Sequence, residues 1–449
     1  MKVYANDTLF PWKRLDDCPS LKTVAQVMES VPDGRLIEGL KRTRGRGRND
    51  YPVKTLWGVF LLKTILRHQT MESCLEEIHR NAGLQRILDI HDPSQIPNKW
   101  NMSRFLDALG GEPHLSEMKR VFRSMAERLG RAVPDLGRFT AGDSAHLSAR
   151  NSARGEGEQS LPAADGGRKE ILDESGLVKS VFEWHGYKLG LVVDVRHEVA
   201  LSYEIESASV PDNKLMPALA EGVREVLPDG RMETMAYDKA CDDEQTHRFL
   251  EGLDIKPLIE TRSMWKDERE RMLPGHGAGS NVVYDEAGSV YCYDVESHPP
   301  IRRHMAYIGH EPKSDTLKYR CPARHCRFEC ASDSRCNAGK SYGKTVRVRR
   351  EIDLRRFPAI PRKTLKFERL YKGRTSVERV IGRLKIFWGA DDGNITGSRR
   401  FHAYVGGVML VHLAFATVLA SCKRYDGALG RTRLSSVQKA LQAEIASTA

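Results

Sequence analysis

Apolar positions recur at helical spacing through the first 130 residues. VKTLWGVFLLKTILRH, Val53 to His68, is apolar nearly all round, which predicts a buried helix. MESCLEEIHRN, Met71 to Asn81, predicts a second helix after a short break. NMSRFLDALG, Asn101 to Gly110, opens on N-cap candidates at Asn101 and Ser103 and closes on Gly. SEMKRVFRSMAERLG, Ser116 to Gly130, is amphipathic at the same period.

From about Val133 the period changes. GRFTAGDSAHL has strand character, with Asp143 at the end of its run. Residues 150–168 are polar and Gly-rich and read as a loop. His185 to Ser207 hold two strand-like runs joined at Arg196 and His197. KLMPALAEGVREVL reads as a helix. METMAYDKACDDEQ, Met232 to Gln245, reads as a strand entering a turn, with Asp238 at its end. DDEQTHRFLEGL is helical and IKPLIETR is a strand. This order predicts an α/β core, whose ligands gather at strand ends. Residues 263 to about 365 carry short alternating runs with several Gly and Pro, a strand-rich insertion. A helix at Tyr371 to Trp388 follows, then an apolar helix, Tyr404 to Ser421, expected to pack on the sheet. The tail from Lys423 is polar and is expected to be loose.

Charge sharpens this outline. The chain has 71 Lys/Arg against 60 Asp/Glu, a net +11. Residues 301–374 hold 21 Lys/Arg and 7 Asp/Glu, so the excess is a patch and points to a polyanion. KRTRGRGRND, Lys41 to Asp50, suits either a mobile arm on a DNA backbone or a solvated loop. Nine scattered Cys without a secretory signal predict a reducing, cytoplasmic setting. Tyr404 to Ser421 is near the lower length limit for a membrane span and carries His412, two Gly and Thr417, which favours a core helix and no membrane partner.

The helix at Tyr371 to Trp388 carries the candidate chemistry. At about 100° per residue from Arg374, Glu378 falls near 40°, Lys385 near 20° and Tyr371, if helical, near 60°. Val377, Val380, Leu384, Phe387 and Trp388 fall between roughly 220° and 320°. A carboxylate flanked by cations on one stripe can hold a divalent metal while the cations meet phosphates. The plain alternative is a surface helix with an Arg374–Glu378 pair.

The spacing of Tyr371, Arg374, Glu378 and Lys385 resembles the Y-(2)-R-(3)-E-(6)-K signature of the DDE insertion-sequence transposases. AGDSAHLSAR resembles that family's first-acid strand, although Asp-Ser stands where Asp-Gly or Asp-Thr is common. HGYKLGLVVD resembles the hairpin after it. AYDKACDD resembles the D-K-G-Y-D second-acid motif, with Ala240 and Cys241 in place of Gly and Tyr. YP, an apolar helix and then NKWNMSRF resemble the helical domain that precedes the catalytic domain.

The resemblance implies an RNase H-like mixed sheet flanked by helices, with an all-helical N-terminal domain and a strand-rich insertion. The expected domains are 1–130, helical, for DNA binding and dimerisation; 131–262 and 366–425, the two parts of the catalytic domain; 263–365, the basic insertion; and 426–449, a polar tail. It implies metal-binding roles for Asp143, Asp238 and Glu378, with DNA contacts from Tyr371, Arg374 and Lys385. Two Mg²⁺ ions, replaceable by Mn²⁺, suit such carboxylates. Asp194, Asp242 and Asp243 are the competing acids, and Asp242 is the nearest substitute ligand.

Cys321, Cys326, Cys330 and Cys336 fall within sixteen residues, with His325 alongside. They suit either a structural Zn²⁺ or reduced thiols in a loop-rich insertion; the paired C-x₂-C is absent. The function implied is a transposase that binds the ends of its own element and performs Mg²⁺-dependent cleavage and strand transfer. Its partners would be double-stranded end and target DNA and a second copy of itself, in a bacterial, nucleoid-associated setting. An RNase H-like nuclease or domesticated transposase without integration, and a silent DNA-binding regulator, are the alternatives.

Overall fold

A computed structural model describes residues 18–46, 51–150, 161–172, 178–227, 230–267, 270–275, 280–391, 395–423, 427, 429–431 and 433–448. Residues 47–50 of the basic stretch and 151–160 of the expected loop lie outside these. The chain forms two compact units, residues 1–231 with 375–449, and residues 232–374.

The first unit opens with seven helices: α1 (Pro19–Glu29), α2 (Gly34–Arg44), α3 (Val53–Ile65), α4 (Met71–Arg80), α5 (Ala82–Ile87), α6 (Lys99–Leu109) and α7 (His114–Ala132). The apolar α3 is buried around almost its whole surface. It even buries Lys63, whose Nζ donates to Tyr404 Oη at 2.7 Å. The start of α6 differs from the expected caps. Asn98 is the N-cap, and Asn101 is the far partner of its capping box, accepting from the Asn98 N–H at 3.0 Å.

Four strands follow, β1 (Phe139–Ser148), β2 (Asp165–Leu172), β3 (Val178–Asp194) and β4 (Ala200–Ser207), and then α8 (Asp212–Val226). All pairing among these strands is antiparallel. The inner half of β3 lies between β1 and β4, and its outer half pairs with β2. The outer half is exposed and the inner half is buried on both faces. The unit is completed by α13 (Thr375–Trp388), α14 (Ser398–Ser421) and α15 (Leu434–Thr448).

Among the described residues, α14 is the one helix long and apolar enough to cross a membrane, and it is buried inside this unit. It packs on α3, α6 and α7 as well as on β4, where His412 Nε2 accepts from the Ala200 N–H at 2.9 Å. A Cβ added to Gly407 would lie 2.2 Å from Phe60 Cζ, so the bare glycine is what lets α3 approach. The polar tail carries α15, which packs on α1 and α14.

The second unit begins with β5 (Thr234–Tyr237), α9 (Glu244–Gly252) and β6 (Lys256–Ile259), a βαβ unit with parallel strands. The insertion builds β7 (Arg271–Met272), β8 (Val282–Tyr284), β9 (Val290–Asp294) and β10 (Ile301–His304) into one antiparallel sheet. A second sheet holds β11 (Ala306–Glu311), β12 (Thr316–Arg320) and β13 (Thr345–Arg349). Short helices α10 (Pro322–Cys326) and α11 (Asp333–Asn337) sit between β12 and β13, and α12 (Leu365–Tyr371) closes the unit. Its core includes Leu273, Val290, Leu317, Tyr319, Val348 and Phe357. The chain is mixed α/β with N-terminal helices and a mixed sheet, consistent with an RNase H-like transposase fold.

Candidate active site

Asp143 lies fifth of the ten residues of β1, opposite Leu191 of β3. The sequence pattern alone places it at a strand end. The strand continues because Ala145 and Leu147 keep alternating with polar neighbours, and pairing with β3 runs on to Ser148 and Gly186. Asp143 is half-buried, and its Oδ1 accepts the Ser144 N–H at 2.8 Å.

The α13 helix buries Val377, Val380, Leu384 and Trp388 and packs on β1 and β3. The helix carrying Glu378 therefore lies on the strand pair carrying Asp143, with Glu378 on the exposed side. Two arginines one turn apart on α13 fix its seat. Arg379 Nε lies 2.6 Å from Glu198 Oε1, and Arg383 Nη2 lies 2.5 Å from Glu198 Oε2. Glu198 sits in the β3–β4 turn with φ of 54°. The single carboxylate thus clamps two successive turns of the helix.

The four-residue stripe is not one α-helix. Tyr371 ends α12, stacked on Phe367 with ring centroids 5.4 Å apart. Lys372 to Arg374 then form a 3-10 turn. Such a turn advances about 120° per residue, so the helical wheel does not carry across it. Tyr371 and Arg374 belong to the second unit, Glu378 and Lys385 to the first.

Lys385 is mostly buried. Its Nζ donates to the His146 carbonyl of β1 and lies 3.2 Å from Asp391 Oδ2. Burial pulls this ammonium below the usual lysine range, against the pull of Asp391. Asp391 also accepts the Ser148 N–H at 2.6 Å. Lys385 and Asp391 together tie α13 and the segment after it to the end of β1. Nothing in the local sequence singled out Asp391 or Glu198.

Asp238 follows β5 directly, where Thr234 to Tyr237 are all buried. It is half-buried, and its carbonyl accepts the Cys241 N–H at 3.0 Å to close a 3-10 turn. Ala240 and Cys241 are compatible with that turn, and Cys241 is buried in it.

The competing acids have structural duties. Asp194 accepts from Gly137 and His197 backbone N–H groups, and burial pushes its carboxyl up. Asp243 caps α9 through the Thr246 N–H at 2.7 Å. Asp242 is fully buried. Arg362 Nη2 donates to its Oδ1 at 2.7 Å, and Arg355 Nε to its Oδ2 at 2.9 Å. The Arg262 N–H donates at 2.8 Å, and His247 Nε2 lies at 3.1 Å. Burial pushes the Asp242 carboxyl up, but the His247 hydrogen bond and the two guanidiniums outweigh it and hold the group below its usual range. A carboxylate so surrounded has no lone pair left for a metal.

Of the four clustered cysteines, Cys326 is exposed. Cys321, Cys330 and Cys336 instead line one cavity with Cys292 of β9. Among the described residues no three His, Cys, Asp or Glu side chains are gathered into a metal-holding group. The donor chemistry of Asp143, Asp238 and Glu378, oxygen only, suits a hard divalent cation.

A larger cavity, of about 730 Å³, lies in the helical part of the first unit and is lined by Arg44, Asn98, Asn101, Arg104 and His114 among others. Nearby, Trp100 is 68% exposed.

Residues 179–414 match the family described as transposase DDE domain, a span of more than half the chain. No curated protein matches.

Proposed function

The chain belongs to the DDE transposase family, and from that premise we propose that it binds the ends of its own mobile element, cleaves them and joins them to target DNA. Members of this family bind DNA, use divalent metal ions and are generally soluble and cytoplasmic. The observation that carries the finer reading is the packing of the Glu378 helix on the Asp143 strand, with Glu378 at the exposed edge.

Asp143, Asp238 and Glu378 would hold the cations, which we take to be two Mg²⁺, with Mn²⁺ as a substitute. When bound, such ions make the attacking oxygen nucleophilic and neutralise the departing one. Asp143 sits on a strand paired along its length, and Asp238 on a turn braced by the buried Asp242 cluster. Both backbones are fixed before any ligand arrives, which favours preorganised charge. Glu378 is placed by the Glu198 clamp. Tyr371 and Arg374 would meet phosphates near the cut. Lys385 would act chiefly by holding α13 to β1.

The exposed basic residues of 301–374 would track the DNA backbone, and the cavity of the N-terminal helices, with Arg44 and Arg104 in its lining, would take part in end binding. Two ends must meet in one reaction, so the active complex would be a homodimer, working on nucleoid DNA.

The test is cleavage and joining of labelled DNA carrying the repeats that flank the gene, with Mg²⁺ or with EDTA. Metal-dependent nicks at the repeat ends and joined products are expected. Nicks without joining would reduce the protein to a nuclease. Binding without cleavage in Mg²⁺ or Mn²⁺ would make it a regulator and overturn the proposal.

A further inference from the structure

The small insertion has few core residues to hold two sheets and two one-turn helices. One cavity lies among them, with a volume of about 20 Å³. That is room for a single atom or ion and too little for an organic ligand. Four thiols line it: Cys292 from β9, Cys321 at the end of β12, Cys330 from the loop before α11, and Cys336 within α11. None is in a disulfide. Burial pushes the Cys292 thiol up to about 12, and the Cys321, Cys330 and Cys336 thiols beside it add to that push.

Two side-chain amides donate toward the sulfurs: Asn337 Nδ2 to Cys321 Sγ and Asn281 Nδ2 to Cys336 Sγ, each at 3.5 Å. Both amides are oriented from behind. Lys344 Nζ donates to Asn281 Oδ1 at 2.9 Å, and the Lys344 N–H donates to Asn337 Oδ1 at 2.5 Å. Lys344 and Arg303 line the cavity together with Asp294 and Asp333, so its charged side chains balance.

We propose that Cys292, Cys321, Cys330 and Cys336 form a structural site for one tetrahedral Zn²⁺ that pins the two sheets of the insertion together. Four sulfur donors select zinc over magnesium or calcium. The amide donors would be the supporting hydrogen bonds that orient ligated sulfur. The four thiols are not yet gathered as a metal-holding group, so the ion would draw them inward and release their protons. Cys326 is not a ligand. This site is independent of the active-site reading, because none of its residues belongs to the acid set.

The test is metal content of the full-length protein after removal of loosely bound ions. About one zinc per chain is expected in wild type and in Cys326→Ser, and much less in Cys292→Ser and Cys336→Ser. Cobalt exchanged into the wild-type protein should give the absorption of a tetrahedral four-thiolate site, which needs no variant to fold. Wild type without zinc and without that cobalt spectrum would overturn the proposal. So would zinc retained in Cys292→Ser but lost in Cys326→Ser.

Discussion

Replacing Asp242 should separate scaffold from ligand in the turn that carries Asp238. The Asp242 carboxylate has no exposed surface, and the guanidiniums of Arg355 and Arg362 that it joins are 8% and 5% exposed. Asp242→Ala leaves two cations buried without an anion. Breaking a buried pair of this kind costs about 3–5 kcal/mol. Asp242→Asn keeps one acceptor oxygen and should cost roughly 1.5–3 kcal/mol, the worth of a hydrogen bond to a charged group. For a unit of this size the larger loss lowers the melting temperature by roughly 10–20 °C.

The assay is urea and thermal unfolding of the full chain, followed by circular dichroism. The pH dependence adds a sign. A carboxyl held below its unfolded value, about 3.9, stabilises above that pH, and the contribution is lost as pH falls through the folded value. Burial pulls the His247 imidazole down, so it too loses stability on acidification. The gap between wild type and Asp242→Ala should therefore narrow below about pH 4. Asp242→Ala within about 1 kcal/mol of wild type at pH 7 would refute the reasoning. So would Asp242→Asn with normal stability and no cleavage, the behaviour of a metal ligand.

Two further outcomes follow from the packing. Arg379 is half exposed, so its arm of the Glu198 clamp adds at most about 1 kcal/mol to stability. Glu198→Gln should slow single-turnover cleavage several-fold while moving DNA affinity and melting temperature little; an unchanged rate would remove Glu198 as a positioning residue for Glu378. Gly406→Ala and Gly407→Ala gain the same helix propensity, yet a Cβ at Gly406 meets the flexible end of Met118 at 3.0 Å and one at Gly407 meets Phe60 at 2.2 Å. Gly407→Ala should be the less stable of the two by about 1–3 kcal/mol in urea unfolding, and equal stabilities would contradict the close approach of α3 and α14.

Much of this was legible because it is local. The buried run Thr234 to Tyr237 ends in Asp238, and the apolar face of α13 sets out Glu378 by period alone. The strand after Asp143 is legible too, in the alternation through Ala145 and Leu147, although a charged residue inside it reads locally as a strand end. What failed was what depends on distant chain. Arg355 and Arg362 come 113 and 120 residues after Asp242, so its carboxylate reads locally as a candidate ligand. Cys292 joins the thiol cluster through the pairing of β9 with its neighbours, and its place there has no trace in the spacing of the later cysteines. The helical stripe failed for a local reason. Gly373 and its neighbours form a 3-10 turn, which breaks the α-helical period between Tyr371 and Glu378.

The most direct test of the acid set is single-turnover cleavage of end DNA by wild type, Asp143→Asn, Asp238→Asn and Glu378→Gln, with binding to the same DNA measured in parallel. Each variant should bind like wild type and cut no faster than wild type does in EDTA. If any of the three cuts at the wild-type rate in Mg²⁺, that residue is not a metal ligand and the three-acid site is wrong.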